Sequence, residues 1–143
     1  MNKIAVIYWS GTGNTEAMAM DVAEGIKEGG KEAEVVPVDA AQASALQEMP
    51  VFALGCPAMG AEQLEESVME DFVAEVERFA SGKTIGLFGS YGWGDGQWMR
   101  DWVERMQNAG AVVLGGEDAI CNEAPDDAAQ AACIALGRQL AAV

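Results

Sequence analysis

Apolar positions along this chain follow two alternating rhythms. Ile4–Trp9 is an unbroken apolar block, the mark of a strand buried on both faces. A glycine-rich turn follows, and then apolar positions four apart at Met18, Val22 and Ile26 predict a helix ending near Gly29-Gly30. Glu34–Val38 reads as a second short strand and Val51–Gly55 as a third. Val68, Phe72, Val76 and Phe79 form the stripe of the next helix, and Thr84–Gly89 a fourth strand. Trp98, Trp102 and Met106, with Met99 and Val103, mark another helix. A fifth strand begins at Ala111–Leu114. The last helix follows Pro125-Asp126, with Ala129, Ala132, Cys133, Leu136 and Leu140 turned inward.

Strands alternating with helices through glycine-rich joints imply an α/β fold: a parallel sheet covered by helices on both faces. Right-handed crossovers leave few arrangements, and the favoured one is a doubly wound five-stranded sheet in the order 2-1-3-4-5. In such a sheet a ligand sits outside the carboxyl ends of the strands, where the winding reverses. The loops after strands one, three and four are therefore expected to carry the function. With no repeat, low-complexity stretch or linker, residues 1–143 read as a single domain, long enough to bury its own core.

Composition narrows the chemistry. The chain has no histidine, which removes Ser-His and Cys-His nucleophilic arrangements, histidine-ligated metals and the commonest acid/base group near neutrality. Its three cysteines, Cys56, Cys121 and Cys133, are widely spaced, arguing against a disulfide framework or zinc site and for a reducing compartment. No metal is expected. Eight basic residues against 23 acidic ones give a net charge of −15. Such a surface repels nucleic acid and anionic lipid, and it either suits basic patches on partner proteins or serves solubility alone. No stretch reaches the ~20 apolar residues of a membrane span, and Ile4–Ile7 is too short for a secretory leader, so a cytoplasmic protein, expected to be a monomer, is predicted.

The loop after the first strand is Ser10-Gly11-Thr12-Gly13-Asn14-Thr15-Glu16, and it opens a helix. A helix start presents free N–H groups and a positive dipole end, so an anion fits there. Ser10, Thr12, Asn14 and Thr15 add neutral donors, while Gly11 and Gly13 let the backbone approach closely. No lysine follows, which rules out a Walker loop. The sixth position of a dinucleotide fingerprint would be Glu16 instead of glycine, and a phosphate-accepting receiver would need acids where Ser10-Gly11 and Cys56-Pro57 stand. The plainer alternative is a turn with an ordinary Ser, Thr or Asn cap.

Two more loops belong to the same edge. Strand three runs into Gly55-Cys56-Pro57-Ala58-Met59-Gly60-Ala61-Glu62, and strand four into Gly89-Ser90-Tyr91-Gly92-Trp93-Gly94-Asp95-Gly96. Trp93, between two glycines, is poorly placed for burial and well placed to stack on a flat ligand. Met59 is polarisable and suits the opposite face of an aromatic ring. Trp98 and Trp102, four apart, belong to the core, with Trp98 nearer the site.

The run Trp9–Thr15 resembles the FMN phosphate-binding signature of flavodoxins. Ala58-Met59-Gly60-Ala61-Glu62 and Gly89–Gly96 look like the two flavin-binding loops of the short-chain members from anaerobic bacteria. The resemblance covers essentially the whole chain and lacks the insertion that splits the fifth strand of longer members. It implies a flavodoxin-like three-layer fold that binds FMN non-covalently. It further implies a low-potential one-electron carrier cycling between neutral semiquinone and anionic hydroquinone, and redox proteins as partners. It puts the phosphate on Ser10 through Thr15 and the isoalloxazine between Met59 and Trp93. Glu62 would accept from the flavin N3–H, backbone groups of Ser90, Tyr91 and Gly92 would approach its polar edge, and Pro57 (near the phosphate), Ala58 and Gly94 would complete the cofactor-binding set. A peptide flip at Gly60-Ala61 would turn the Gly60 carbonyl toward flavin N5. Pro57 stands where some relatives carry a hydroxyl, and Ala61 where Asp or Ser is usual. With no Lys or Arg in these loops, the phosphate and Glu62 would disfavour a further negative charge. Glu62, Glu65, Glu66 and Asp95 are candidate docking charges. Two other functions fit the fold: an FMN-dependent NAD(P)H:quinone oxidoreductase, and a non-catalytic FMN-binding module.

Overall fold

A computed structural model describes residues 3–60 and 63–143. Its elements run β1 (Lys3–Tyr8), α1 (Asn14–Glu28), β2 (Glu32–Pro37), β3 (Val51–Gly55), α2 (Met69–Glu77), β4 (Thr84–Tyr91), α3 (Gln97–Asn108), β5 (Val112–Asn122) and α4 (Asp127–Ala141). Two short 3-10 turns, Val38–Ala40 and Ala43–Leu46, fill the connection from β2 to β3. The strands form one parallel sheet in the order β2-β1-β3-β4-β5, as the alternation predicts.

Each continuous apolar block supplies both faces of the sheet, because successive side chains on a strand point to opposite sides. Ala5, Ile7, Phe52, Leu54, Ile85 and Leu87 pack with α2 and α3, where Met69, Phe72, Val73, Val76, Trp98, Met99, Trp102 and Met106 are buried. Ile4, Val6, Val51, Ala53 and Phe88 face α1 and α4, meeting Met18, Val22, Ile26, Cys133, Leu136 and Leu140. The result is a three-layer structure with two cores.

Five elements depart from expectation at their ends: β1 spans Lys3–Tyr8 and not Ile4–Trp9, β4 runs past Gly89 to Tyr91, and three more differ as follows. β2 spans Glu32–Pro37 and not Glu34–Val38, since Val38 opens a 3-10 turn with its side chain buried. The stripe Val68–Phe79 overshoots its helix: Val68 is the N-cap of α2 and Phe79 lies past Glu77, although both pack on the core. β5 slips against β4. Leu87 pairs with Gly115 but Gly89 pairs with Ile120, and the slip is taken up at Gly115 and Gly116, both with positive φ. This bulge carries β5 on to Asn122, which brings its end to the same edge as the other strands.

The β3–β4 pairing also continues beyond the strands. Cys56 N donates to Phe88 O at 3.1 Å and Ala58 N to Ser90 O at 3.0 Å. Gly89 permits this approach: a Cβ there would lie 2.1 Å from Cys56 O. Trp98 Nε1 donates to the same Cys56 oxygen at 3.1 Å, pinning α3 to the end of β3.

Candidate functional site

A cavity of about 630 Å³ opens at the carboxyl edge of the sheet, a size suited to a cofactor-sized ligand. Ser10, Gly11, Thr12, Asn14 and Thr15 bound it on one side, Pro57, Ala58 and Met59 on another, and Ser90, Tyr91, Gly92 and Trp93 on a third. The structure thus brings the three predicted loops around one space. Gly13 is the left-handed N-cap of α1 (φ 94) and faces a second, polar cavity behind the loop, with Tyr8, Glu16 and Asp39. Gly60 and Gly94 are exposed, have positive φ and lie off the cavity walls. Ala61 and Glu62 lie outside the described residues.

The phosphate-loop expectation rests on how α1 begins. No side chain caps Gly13 in the usual way. Instead Ser10 Oγ accepts from Gly13 N at 3.1 Å and Glu16 N at 3.3 Å, so its own proton is left to donate elsewhere. The first intrahelical acceptor serves Ala17, whose N–H reaches Gly13 O, so the N–H groups of Asn14 and Thr15 precede the helical ladder. They stand with three hydroxyls, Ser10, Thr12 and Thr15, at the positive end of a 15-residue helix. Among the described residues lining the cavity there is no Lys or Arg. Glu16 turns away from it and accepts from Tyr8 OH at 2.8 Å, which, with burial, raises the tyrosine pKa.

The loop after β3 closes into a tight turn. Met59 N donates to Gln63 O at 2.8 Å and Gln63 N to Met59 O at 2.9 Å, with Gly60 at φ 54 at the start of the reversal. Behind it sits Glu65. It is buried and not a docking charge, correcting the sequence expectation: its carboxylate serves the start of α2. Oε1 accepts from Val68 N at 2.8 Å and Met69 N at 3.0 Å, while Oε2 accepts from Ser67 N at 2.9 Å and from Ser67 Oγ. Burial alone would raise its pKa, but these bonds outweigh burial and hold it below the usual value. Asp95 stays largely exposed while pairing with Arg100 at 2.8 Å. Glu66 is exposed and accepts from Gln63 Nε2.

The loop after β4 presents Trp93, 56 % exposed, over the cavity, while Tyr91 packs tilted on Trp98 with ring centroids 5.5 Å apart. Trp98 itself is fully interior. The three cysteines are buried free thiols, with Cys56 and Cys133 pushed up to about 12 by burial and Cys121 to about 11. They are inert by environment. No group of three or more metal-ligating side chains occurs among the described residues.

Three wall residues were absent from the predicted set: Trp9, Glu123 and Ala124. Trp9 belongs to the quoted motif but was counted only with its strand. Glu123 and Ala124 follow β5, whose end the apolar pattern did not reveal. Glu123 is the one non-glycine residue with positive φ among those described (φ 60), and its N–H donates to Tyr91 O at 2.7 Å.

Comparison with known proteins agrees with this geometry. The flavodoxin family model matches residues 6–137. The chain belongs to the flavodoxin family. It is 45 % identical over 138 residues to the flavodoxin of Megasphaera elsdenii, covering 96 % of this chain and 98 % of that one. It is 48 % identical over 136 residues to that of Clostridium beijerinckii, covering 95 % and 97 %. A solution structure of two-electron reduced Megasphaera elsdenii flavodoxin superposes with a TM-score of 0.89 at 44 % identity, over 98 % of this chain and 99 % of that one. As a flavodoxin the chain is an FMN-binding electron carrier. The residues fit that cofactor: neutral donors gathered at a helix start suit a phosphate, and an exposed indole and a thioether bordering an open cavity suit a flat ring.

Proposed function

We propose that residues 1–143 act as one FMN-binding domain that carries single electrons at low potential between proteins and does not turn over a substrate. The observation that carries this reading is the cavity's electrostatic character. A dianionic phosphate would be met by N–H groups and hydroxyls alone, and the described wall residue bearing a charge is Glu123, a carboxylate.

Bound FMN supplies one-electron redox chemistry. In this reading the N–H groups of Asn14 and Thr15, with the hydroxyls of Ser10, Thr12 and Thr15, hold its phosphate. Gly11 and Gly13 keep the loop backbone close. Met59 and Trp93 flank the ring and keep water from its faces. Ser90, Tyr91 and Gly92 border its polar edge, Pro57 lies near the phosphate, and Ala58 and Gly94 complete the binding loops. Gly60, Ala61 and Glu62 are assigned to the turn beside it, Glu62 as acceptor for the ring N3–H. With no Lys or Arg among the described residues lining the cavity and a net charge of −15, added negative charge is disfavoured, which makes the reduced protein a strong reductant. The same charge recruits redox partners with basic docking surfaces, steered at low ionic strength. A monomer in the cytoplasm fits three free thiols; among the described residues no helix is long and apolar enough to cross a membrane.

The test is the visible spectrum of the FMN-loaded protein during stepwise anaerobic reduction. Long-wavelength absorbance that rises and falls between the oxidised and fully reduced end points supports one-electron carriage. Direct bleaching, together with NADH consumption by the protein alone, would assign it to the oxidoreductases. Failure to take up FMN would overturn the reading altogether.

A further inference from the structure

Thr15 and Ser90 are among the few buried polar side chains of the protein, 1 % and 5 % exposed. Their hydroxyl oxygens lie 3.3 Å apart, 75 residues distant in sequence, and both residues line the main cavity. Each hydroxyl has one proton to give. The contact between them uses one, and neither oxygen has another hydrogen-bond partner among the described residues. One buried proton therefore lacks an acceptor, an unfavourable arrangement unless something in the cavity accepts it.

The place of the pair says which proton and which acceptor. Thr15 is the second residue of α1, where the helix start favours an anion. Ser90 is the last residue but one of β4 and lines the same cavity, and its carbonyl is already taken by Ala58 N. The chemically consistent assignment has Ser90 O–H donating to Thr15 and Thr15 O–H donating to the anion. Each bond then polarises the next.

We propose that Ser90 is a positioning residue that recognises the phosphate of FMN through Thr15, setting preference for the phosphorylated flavin over riboflavin. This rests on the FMN-binding reading and gives the Ser90 side chain a role distinct from that of its backbone. It also joins the three loops: Thr15 from the first, Ser90 from the third, and Ala58 of the second on the Ser90 carbonyl.

The experiment measures the affinities of the full-length, flavin-stripped protein for FMN and for riboflavin by quenching of flavin fluorescence. Ser90→Ala is expected to weaken FMN binding about three- to tenfold and Thr15→Val about tenfold or more, with riboflavin binding held within about twofold. Thr15→Ser, which keeps the hydroxyl, should retain the wild-type ratio. The double variant should bind FMN no worse than Thr15→Val, because Ser90 acts only through that oxygen. Equal losses for both flavins would mean that Ser90 merely packs the loops, and would overturn the proposal. So would an effect of Ser90→Ala that persists in the Thr15→Val background. A wild-type protein that takes up neither flavin would instead sink the FMN-binding reading itself.

Discussion

Removing the Glu65 carboxylate tests whether a buried acid shapes the flavin side of the molecule. Three backbone N–H groups, those of Ser67, Val68 and Met69, depend on it at 2.8–3.0 Å. Losing an ordinary helix cap costs about 0.5–2 kcal/mol. Three donors served by an ionised acceptor in a buried setting place Glu65→Ala at the upper end, about 2 kcal/mol, or roughly thirtyfold in the unfolding equilibrium. Glu65→Gln keeps one oxygen and loses the charge, so about 1 kcal/mol is expected. The pH dependence has a definite sign. The native pKa lies below the ordinary 4.5. The contribution is therefore full above that value and fades as pH falls through the lower native one. Urea unfolding followed by far-ultraviolet circular dichroism should show a constant gap between wild type and Glu65→Gln near neutrality, closing on acidification. The consequence reaches the site, because Glu65 N lies 3.5 Å from Cys56 Sγ and the residue stands two positions beyond Gln63, which pairs with Met59. FMN affinity should fall along with stability. A gap that is absent, or that does not narrow in acid, would show that the carboxylate is not the cap.

Gly60→Val forces a β-branched side chain into φ 54, where space is available (the nearest atom is 3.5 Å away) but the backbone is not. It should cost about 1–2 kcal/mol and diminish the intermediate long-wavelength absorbance during stepwise reduction, with unchanged spectra arguing against any role for this turn. Glu123→Gly relieves the one non-glycine positive φ among the described residues and should stabilise the protein by about 0.5–1 kcal/mol in thermal or urea unfolding. A loss of stability would mean that the glutamate side chain contributes more than its backbone costs. Trp93→Ala removes a half-exposed indole from the cavity wall, so FMN affinity should drop at least tenfold while the unfolding of the flavin-free protein barely changes.

Where the sequence was legible, burial was continuous. β1, β3 and β4 are largely apolar because helices cover both their faces, with Lys3, Thr84 and Ser90 the exceptions. β2 is an edge strand with a mixed, half-exposed pattern, and its bounds shift at both ends by one or two residues, no further than the end of β4. The Val68–Phe79 stripe reported burial instead of helicity: Val68 and Phe79 pack on the core from outside the helix. The three site loops were visible because glycine and hydroxyl clusters at strand ends are rare as mere connectors. Glu65 was misplaced because a buried cap and a solvated acid look alike in one sequence. A usable signal was present, an acid placed just ahead of an apolar helical stripe. The β5 slip depends on a tertiary pairing that no local pattern encodes, and so the wall residues Glu123 and Ala124 beyond it went unseen.

The rim of the cavity is an extension of the sheet. Trp9 N reaches Gly55 O at 3.0 Å, Cys56 N reaches Phe88 O, Ala58 N reaches Ser90 O and Glu123 N reaches Tyr91 O, so all four loops begin on ladder-like hydrogen bonds. Backbone tied in this way cannot move without breaking buried pairs. Latitude is left where the ladder stops, at Gly60 in its left-handed turn and at Trp93 between glycines. Those are the segments that the FMN-binding proposal puts beside the edge and one face of the flavin. A carrier gains from this division, since a fixed rim preserves cofactor position while local adjustments answer a change in ring charge. The two classes of substitution should therefore separate. Changes on the rim, such as filling the space at Gly89, where a Cβ would meet Cys56 O, disturb folding and flavin binding together. Changes at Trp93 should weaken flavin binding and leave the empty scaffold nearly as stable as before.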